Sequence, residues 1–243
     1  MDPFIRPTTP RRYPVEIRSV REVMLIGRAD LAVWRQCLQP EALTPFAADG
    51  AARLVWTALS ARWLGYRFCE CSLSVAVSAS PDGATADGFR LLQAYNDSKV
   101  FAWVERTFFG TPYDPAQIDL SVAAPWCLAV RRGAQTVCLA EGRAAPASST
   151  AVSATDWEGP IFIAGRATGS PGRFFFARFT GAARQATFEP EVDRFSLGDV
   201  VATPVLGDLT ASGFVPHTWQ FRASAIHGRT ATFDRLAPDR RTA

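Results

Sequence analysis

The sequence has almost no lysine. Of its 26 lysine and arginine residues only Lys99 is a lysine, so chemistry that needs a side-chain amine must use Lys99 or do without. Histidine is nearly as scarce. His217 and His227 are the only two, and neither has an evident carboxylate partner close by in sequence. The five cysteines, Cys37, Cys69, Cys71, Cys127 and Cys138, are odd in number and follow no repeated spacing, which argues against a disulfide framework and fits a reducing compartment. The run Cys69-Glu70-Cys71 alternates across a strand and cannot supply a C-x-x-C clamp, and with two histidines no zinc pattern emerges, so no metal is expected. Walker, G-x-G-x-x-G, G-x-S-x-G and H-E-x-x-H motifs are all missing, and no cofactor is expected. The opening stretch MDPFIRPTTPRRYP has no apolar h-region, and no segment approaches the ~18 to 20 apolar residues of a membrane span, which points to a cytoplasmic protein with no membrane partner. A net charge of +3, spread along the chain, leaves no nucleic-acid footprint.

What is present is a globular composition. With 48% hydrophobic and 20% charged residues, the 243-residue chain can bury a sizeable core, and one domain spanning 1–243 is expected, with residues 1–12 as an extended arm on a surface or a neighbouring subunit. Period-2 patterning begins at VEIRSVREVMLIG. Val15, Ile17, Ser19, Arg21, Val23 and Leu25 share the more apolar face, so that face, Arg21 included, should point inward. Asp30 can cap a short helix carrying Leu31, Trp34 and Leu38, which Pro40 stops. ARLVWTALSARW and CECSLSVAVSAS read as strands joined through Gly65. In the second, Cys71, Leu73, Val75 and Val77 oppose Glu70, Ser72, Ser74, Ala76 and Ser78, a small and polar face that suits either solvent or a cavity wall.

FRLLQAYN reads as a further strand, and DSKVFAWVERTFFG as a helix capped by Asp97 or Ser98 and closed by Gly110, with Phe101, Val104 and Phe108 as its buried stripe. The remainder consists of short strands between Gly and Pro turns, with AAPASSTAVSATD as a low-complexity loop. The fold class expected is mainly β (α+β), with antiparallel sheets and two or three short helices.

Three consecutive stretches, REVMLIGRADLAVWRQCLQPEAL, RLVWTALSARWLGYRFCE and YNDSKVFAWVERTFFGTPY, together resemble the acetoacetate decarboxylase-like superfamily over roughly residues 12 to 120. The resemblance implies a cone-like double-sheet or barrel architecture with an internal cavity, and a homo-oligomer. It places Arg21 at the family's active-site arginine, with Pro40, Glu41 and Leu43 in register, and Glu70 at a family glutamate if one residue is inserted. A second family glutamate falls near Val55. The family stretch whose lysine forms a Schiff base lies over ERTFFGTPY: Arg106, Gly110 and Pro112 match, Thr107 replaces a glutamate, and Tyr113 stands where the lysine should be.

A phenol forms no imine, so acetoacetate decarboxylation by the family mechanism is not expected. A phenol can donate a hydrogen bond to an enolate, or transfer a proton if its pKa is lowered. The candidate catalytic residues are therefore Arg21 as an anchor for negative charge, Glu70 as proton shuttle and Tyr113 as enol or oxyanion stabiliser, with Arg106, Trp56 and Phe109 as candidate substrate contacts. Each has a plainer alternative: Arg21 in an ion pair with Glu70 or Glu22, Glu70 facing solvent, Tyr113 as a half-buried turn aromatic, Arg106 bracing a helix end. The function expected is a cofactor-independent enzyme acting on an enolisable keto acid or polyketide-like intermediate by dehydration, cyclisation, tautomerisation or decarboxylation without a Schiff base. The alternative is a non-catalytic small-molecule-binding protein with the same cavity.

Overall fold

The computed structural model describes residues 11–123, 125–142, 150–154, 156–165, 172–198 and 203–235. In chain order the elements are β1 (Val15–Asp30), α1 (Leu31–Leu38), β2 (Thr44–Pro45), β3 (Ala47–Ala48), β4 (Ala51–Trp63), β5 (Tyr66–Ser78), β6 (Gly88–Asn96) and α2 (Lys99–Val104). There follow β7 (Tyr113–Pro115), β8 (Gln117–Ser121), β9 (Trp126–Arg132), β10 (Gln135–Gly142), β11 (Thr150–Ala154), β12 (Trp157–Ile163), β13 (Arg173–Thr180), β14 (Ala182–Thr187), β15 (Arg194–Leu197), α3 (Pro204–Ala211), β16 (Val215–Arg229) and β17 (Phe233–Asp234).

Seven strands close into a barrel in the order β16-β1-β4-β5-β6-β12-β13, with β13 pairing back onto β16. A ring of strictly alternating strands needs an even number, so seven require one parallel neighbour pair. That pair is β6–β12, at Ile161↔Phe89 and Phe162↔Arg90. Closure leaves the barrel without an exposed edge. A four-stranded sheet, β15-β10-β9-β8, packs outside it. The mainly β architecture expected from the sequence, a barrel with a second sheet and a few short helices, is the one observed.

The large hydrophobic core lies between this outer sheet and the barrel, not inside the barrel. Val23 and Leu25 of β1, Leu54 and Trp56 of β4, and Leu73 and Val75 of β5 pack there with Leu128, Val130 and Cys138 of the outer sheet. Both faces of these strands are therefore enclosed, one by the core and the other by the barrel interior.

Two local irregularities change which side chains point inward. In β1, Ser19 has φ 57, and the pairing with β16 slips between Ile17 and Val20 and again between Val20 and Glu22. Such bulges invert the alternation of a strand. Val15 and Ile17 face the interior, and after the bulge so do Val20, Met24 and Ile26. Arg21 then shares the face of Val23 and Leu25, opposite Ser60, where it is exposed to solvent. The inward orientation expected for Arg21 is corrected.

The second irregularity follows α2. Ser98 caps this helix by accepting from Phe101 N, but at Glu105–Phe109 the chain widens into a π-helical turn ended by Gly110 in the left-handed region. The wider turn rotates the stripe. Phe101 packs edge-on against Phe68, whereas Phe108 is 63% exposed and contacts only Trp103 at its edge among the ring contacts. Phe108 therefore leaves the buried stripe assigned to it.

The remaining expectations sort simply. Asp30 caps α1 with a 2.9 Å bond from Val33 N. Helix α3 occupies a stretch that hydrophobic period did not assign. Residues 1–10 of the expected arm lie outside the described residues, while Arg11 rests 3.8 Å above the Phe176 ring and pairs with Glu158. Most of AAPASSTAVSATD also lies outside them, and its described part forms β11 against β14. All five cysteines are free thiols. Among the described residues no helix is long and apolar enough to cross a membrane.

Candidate active site

The barrel interior holds a cavity of about 370 Å³, within the range that takes a small organic ligand. Its wall is built from alternate residues. On β4, Arg53, Val55, Thr57, Leu59 and Ala61 face it, while on β5 Glu70, Ser72 and Ser74 do. The small polar face of β5, compatible with solvent or cavity from sequence, is thus cavity wall.

Tyr113 is carried into this wall by the turn that follows the π-helical segment. Gly110, at φ 63, adopts a conformation that favours glycine, and its carbonyl accepts from Arg173 Nη2 at 2.9 Å. Thr111 N and its hydroxyl both point back to the Glu105 carbonyl, at 3.2 and 2.9 Å. Tyr113 N then donates to Thr111 O at 2.9 Å, and Pro112 O accepts from Ala94 N at 3.0 Å. These bonds pin β7 parallel to β6 at Ala94↔Tyr113. The turn fixes the phenol in direction and depth.

The Tyr113 hydroxyl donates a short hydrogen bond to Glu70 Oε1. Burial pushes the Glu70 carboxyl up to about 7. The phenol hydrogen bond pulls the other way, as do Arg229 and Asn96, while the nearby Glu105 charge adds to the rise. Tyr113 itself is pushed well above its ordinary value by burial and by the Glu70 and Glu105 charges. The lowered pKa that a proton-transferring phenol would need is therefore not met, and Tyr113 is a neutral donor.

Glu105 is the third member of this cluster. Arg229 Nη1 holds both of its carboxylate oxygens, at 2.8 and 2.6 Å, and Thr111 Oγ1 lies 2.6 Å from Oε2. The Arg229 guanidinium is also sandwiched against two rings, 4.4 Å from the Phe109 centroid and 4.0 Å from that of Phe175. Arg229 is thus rigidly committed to Glu105, leaving Glu70 with a phenol rather than a cation as its immediate partner.

A second polar cluster sits on β1 and β16. Glu22, fully buried, pairs with Arg222 Nη1, and its Oε2 lies 2.8 Å from His227 Nε2. Burial alone would raise the Glu22 carboxyl, but the His227 and Arg222 contacts outweigh it and hold the pKa below the ordinary value. Arg222 and His227 both line the cavity. A row across the barrel joins the clusters, Arg222 opposite Glu22, Glu22 opposite Leu59, and Leu59 opposite Glu70.

Of the residues singled out from sequence, Glu70 and Tyr113 meet in the cavity wall. Arg21 is on the outside. Trp56 is fully buried in the core between barrel and outer sheet, because its position on β4 is even while the cavity face is odd. Arg106 is exposed, 3.6 Å from Asp114, and does not line the cavity. Phe109 does not line it either, and touches it only through Arg229. Lys99 is exposed on the first turn of α2, so no lysine amine faces the cavity. Sequence reasoning missed Glu22, Glu105, Arg222, His227 and Arg229. Each takes its partner from far along the chain, so no local spacing announces it. Among the described residues no cluster of three or more His, Cys, Asp or Glu side chains is disposed to hold a metal ion.

No protein-family model matches the chain, and no curated protein matches its sequence. Solved structures do match. An acetoacetate decarboxylase aligns over 96% of this chain and 97% of its own, with a TM-score of 0.63 at 18% identity. An acetoacetate decarboxylase-like enzyme from Sphingomonas wittichii RW1 aligns over 98% and 99%, with a TM-score of 0.56 at 15% identity. The enduracididine biosynthesis enzyme MppR aligns over 94% and 90%, with a TM-score of 0.59 at 16% identity. Likeness over nearly the full length of each partner, at identities this low, is a likeness of fold: this chain has the acetoacetate decarboxylase-like fold.

Proposed function

We propose that this protein is a cofactor-independent enzyme that moves a proton at the carbon next to a carbonyl, acting on an enolisable keto acid or polyketide-like intermediate. The observation that carries the reading is the Glu70 carboxyl, set in a cavity wall, hydrogen-bonded to a buried phenol and poised near 7. A carboxyl with that pKa is present in both forms at neutral pH, which suits general acid–base catalysis.

Glu70 in its ionised form takes the α-proton. The Tyr113 O–H, which holds Glu70 in the resting protein, is the donor available to the enolate oxygen once substrate enters. Its high pKa keeps the proton on the phenol and stabilises the enolate by hydrogen bonding alone. The Arg222–Glu22 and Arg229–Glu105 ion pairs set fixed dipoles in the cavity wall, where both guanidiniums lie beside the space that a developing anion would occupy. The enolate then partitions by reprotonation at another atom, by expulsion of a β-hydroxyl as water, or by attack on an internal electrophile, whereas decarboxylation without a Schiff base reaches the same enolate by loss of CO₂ from a β-keto acid, after which protonated Glu70 returns a proton to carbon. Imine formation is not part of the reading, because the only lysine is exposed on α2. The MppR complex with the condensation product of pyruvate and imidazole 4-carboxaldehyde supports keto-acid chemistry within this fold at large.

The test is deuterium exchange. Pyruvate, acetoacetate and longer 2-oxo and 3-oxo acids are incubated with the protein in D₂O and followed by proton NMR. Exchange at the α-carbon is expected above the buffer rate, and Glu70→Gln should lower it by roughly 10² to 10⁴. Exchange no faster than buffer across the series, with tight retention of one acid, would instead establish a binding protein. Exchange unaffected by Glu70→Gln would remove Glu70 from the mechanism.

A further inference from the structure

The cavity has a second polar end that the acid–base chemistry does not use. Arg53 lines it on β4, at the opposite extreme from Ala61. Its guanidinium lies 4.8 Å from the Phe46 ring and makes no ion pair among the described residues. This sets it apart from the other two cavity-facing guanidiniums, since Arg222 is held by Glu22 and Arg229 by Glu105. Arg28 stands directly opposite Arg53 in the β1–β4 ladder, and both raise the positive potential felt by His217. As cross-strand partners the two arginines share one face of the sheet, Arg28 at its exposed end, with no ion pair to either among the described residues, and a bound oxyanion would offset the repulsion between these like charges.

From Arg53 to Leu59, the residue opposite Glu70, the backbone spans roughly 20 Å at about 3.3 Å per residue. The wall between is mostly apolar or small, with Ile26, Val55, Thr57, Ser72, Ser74 and Leu91, and one amide, Gln220, in the row of Met24 and Thr57. We propose that the Arg53 end is an anion subsite, and that the substrate is an elongated bifunctional acid whose terminal oxyanion, carboxylate or phosphate, docks on Arg53 while its carbonyl end lies at Glu70 and Tyr113. The orientation of the substrate rests on the acid–base reading above; the anion subsite itself rests only on Arg53 and the shape of the cavity. A guanidinium fork matches either oxyanion in two-point geometry, and the apolar stretch matches a hydrocarbon or polyketide-like middle.

The experiment is titration calorimetry with dicarboxylates from succinate to tetradecanedioate, the monocarboxylates of equal length, and the corresponding ω-phosphonocarboxylates. The expected result is a length optimum among the longer dicarboxylates, which bind at least about tenfold more tightly than the equal-length monocarboxylate. Arg53→Gln should abolish that preference, so that the two acids bind alike, and Arg53→Lys should retain part of it. A phosphonate preferred over the dicarboxylate, and dependent on Arg53, identifies the oxyanion as phosphate. A wild-type protein that binds monocarboxylates and dicarboxylates equally at every length overturns the proposal, and so does a preference that survives in folded Arg53→Gln. The length series needs no variant and so stands if a substitution unfolds the chain. If Arg53-dependent binding appears while deuterium exchange is absent, the subsite stands and the acid–base reading falls. If exchange appears without any terminal-anion preference, the reverse holds.

Discussion

Glu22 and Glu70 are both enclosed carboxyls, two strands apart in one cross-barrel row, yet their acidities move in opposite directions. Burial pushes each of them up. Glu22 meets a guanidinium and an imidazole face to face, and these reverse the effect. Glu70 meets a neutral phenol, with a second carboxylate close by and the nearest guanidinium already taken by that carboxylate. Partner chemistry, more than depth, decides the charge state. Glu22 is an anion belonging to the framework, whereas Glu70 is left free to titrate.

Breaking the framework pair should give the largest effect. Arg222→Ala leaves a fully buried carboxylate without its guanidinium and should cost about 3–5 kcal/mol of stability, measured by urea unfolding at neutral pH. The pH dependence of stability sharpens the comparison next. The native Glu70 carboxyl holds its proton up to about 7, whereas the ordinary value is about 4.5, so between those pH values the native state binds more protons than the unfolded chain. Glu70 therefore stabilises fully below about 4.5, and its contribution falls as pH rises through 7, by up to about 3 kcal/mol. Glu70→Gln should remove this slope. Glu22 acts on the other limb. Its lowered pKa stabilises the protein above the ordinary carboxylate value, and that stability disappears as pH falls through the native pKa.

A smaller effect tests the partner directly. The phenol hydrogen bond lowers the Glu70 pKa, so Tyr113→Phe should move its titration above about 7, read as the midpoint of the labelled carboxyl carbon by NMR. An unmoved or lowered midpoint would show that the phenol does not govern Glu70. The smallest effect belongs outside the barrel. Arg21→Ala removes an exposed side chain and should change stability by less than about 0.5 kcal/mol, with α-proton exchange unaltered. A large loss there would restore Arg21 to the site.

Glu70 and Tyr113 are singled out in the sequence by its resemblance to acetoacetate decarboxylase-like proteins, and the structure brings them together because the direction of each is set by short-range features. Glu70 lies on a strand whose alternation is clean from Cys69 to Leu73, and Tyr113 follows a glycine and a proline that define its turn. Arg21 was misplaced by one residue at Ser19, since a bulge inverts every later side chain in the strand. Trp56 was misassigned for a related reason. When both faces of a strand are enclosed, hydrophobicity does not say which one borders the core and which the cavity. Phe108 shows the same limit on a helix, where a single widened turn rotated the stripe.

What the sequence determined by itself is the strand-rich composition, the caps of α1 and α2, the turn that presents Tyr113, and the lack of any amine except Lys99. These depend on residues a few positions apart, or on residue type alone. Only the tertiary structure decided that β13 returns to β16 to close a seven-stranded ring, and that Glu22 meets Arg222 and His227 while Glu105 meets Arg229. Closure joins residues separated by most of the chain, and the charge of a carboxyl depends on which partners that closure brings within hydrogen-bond reach.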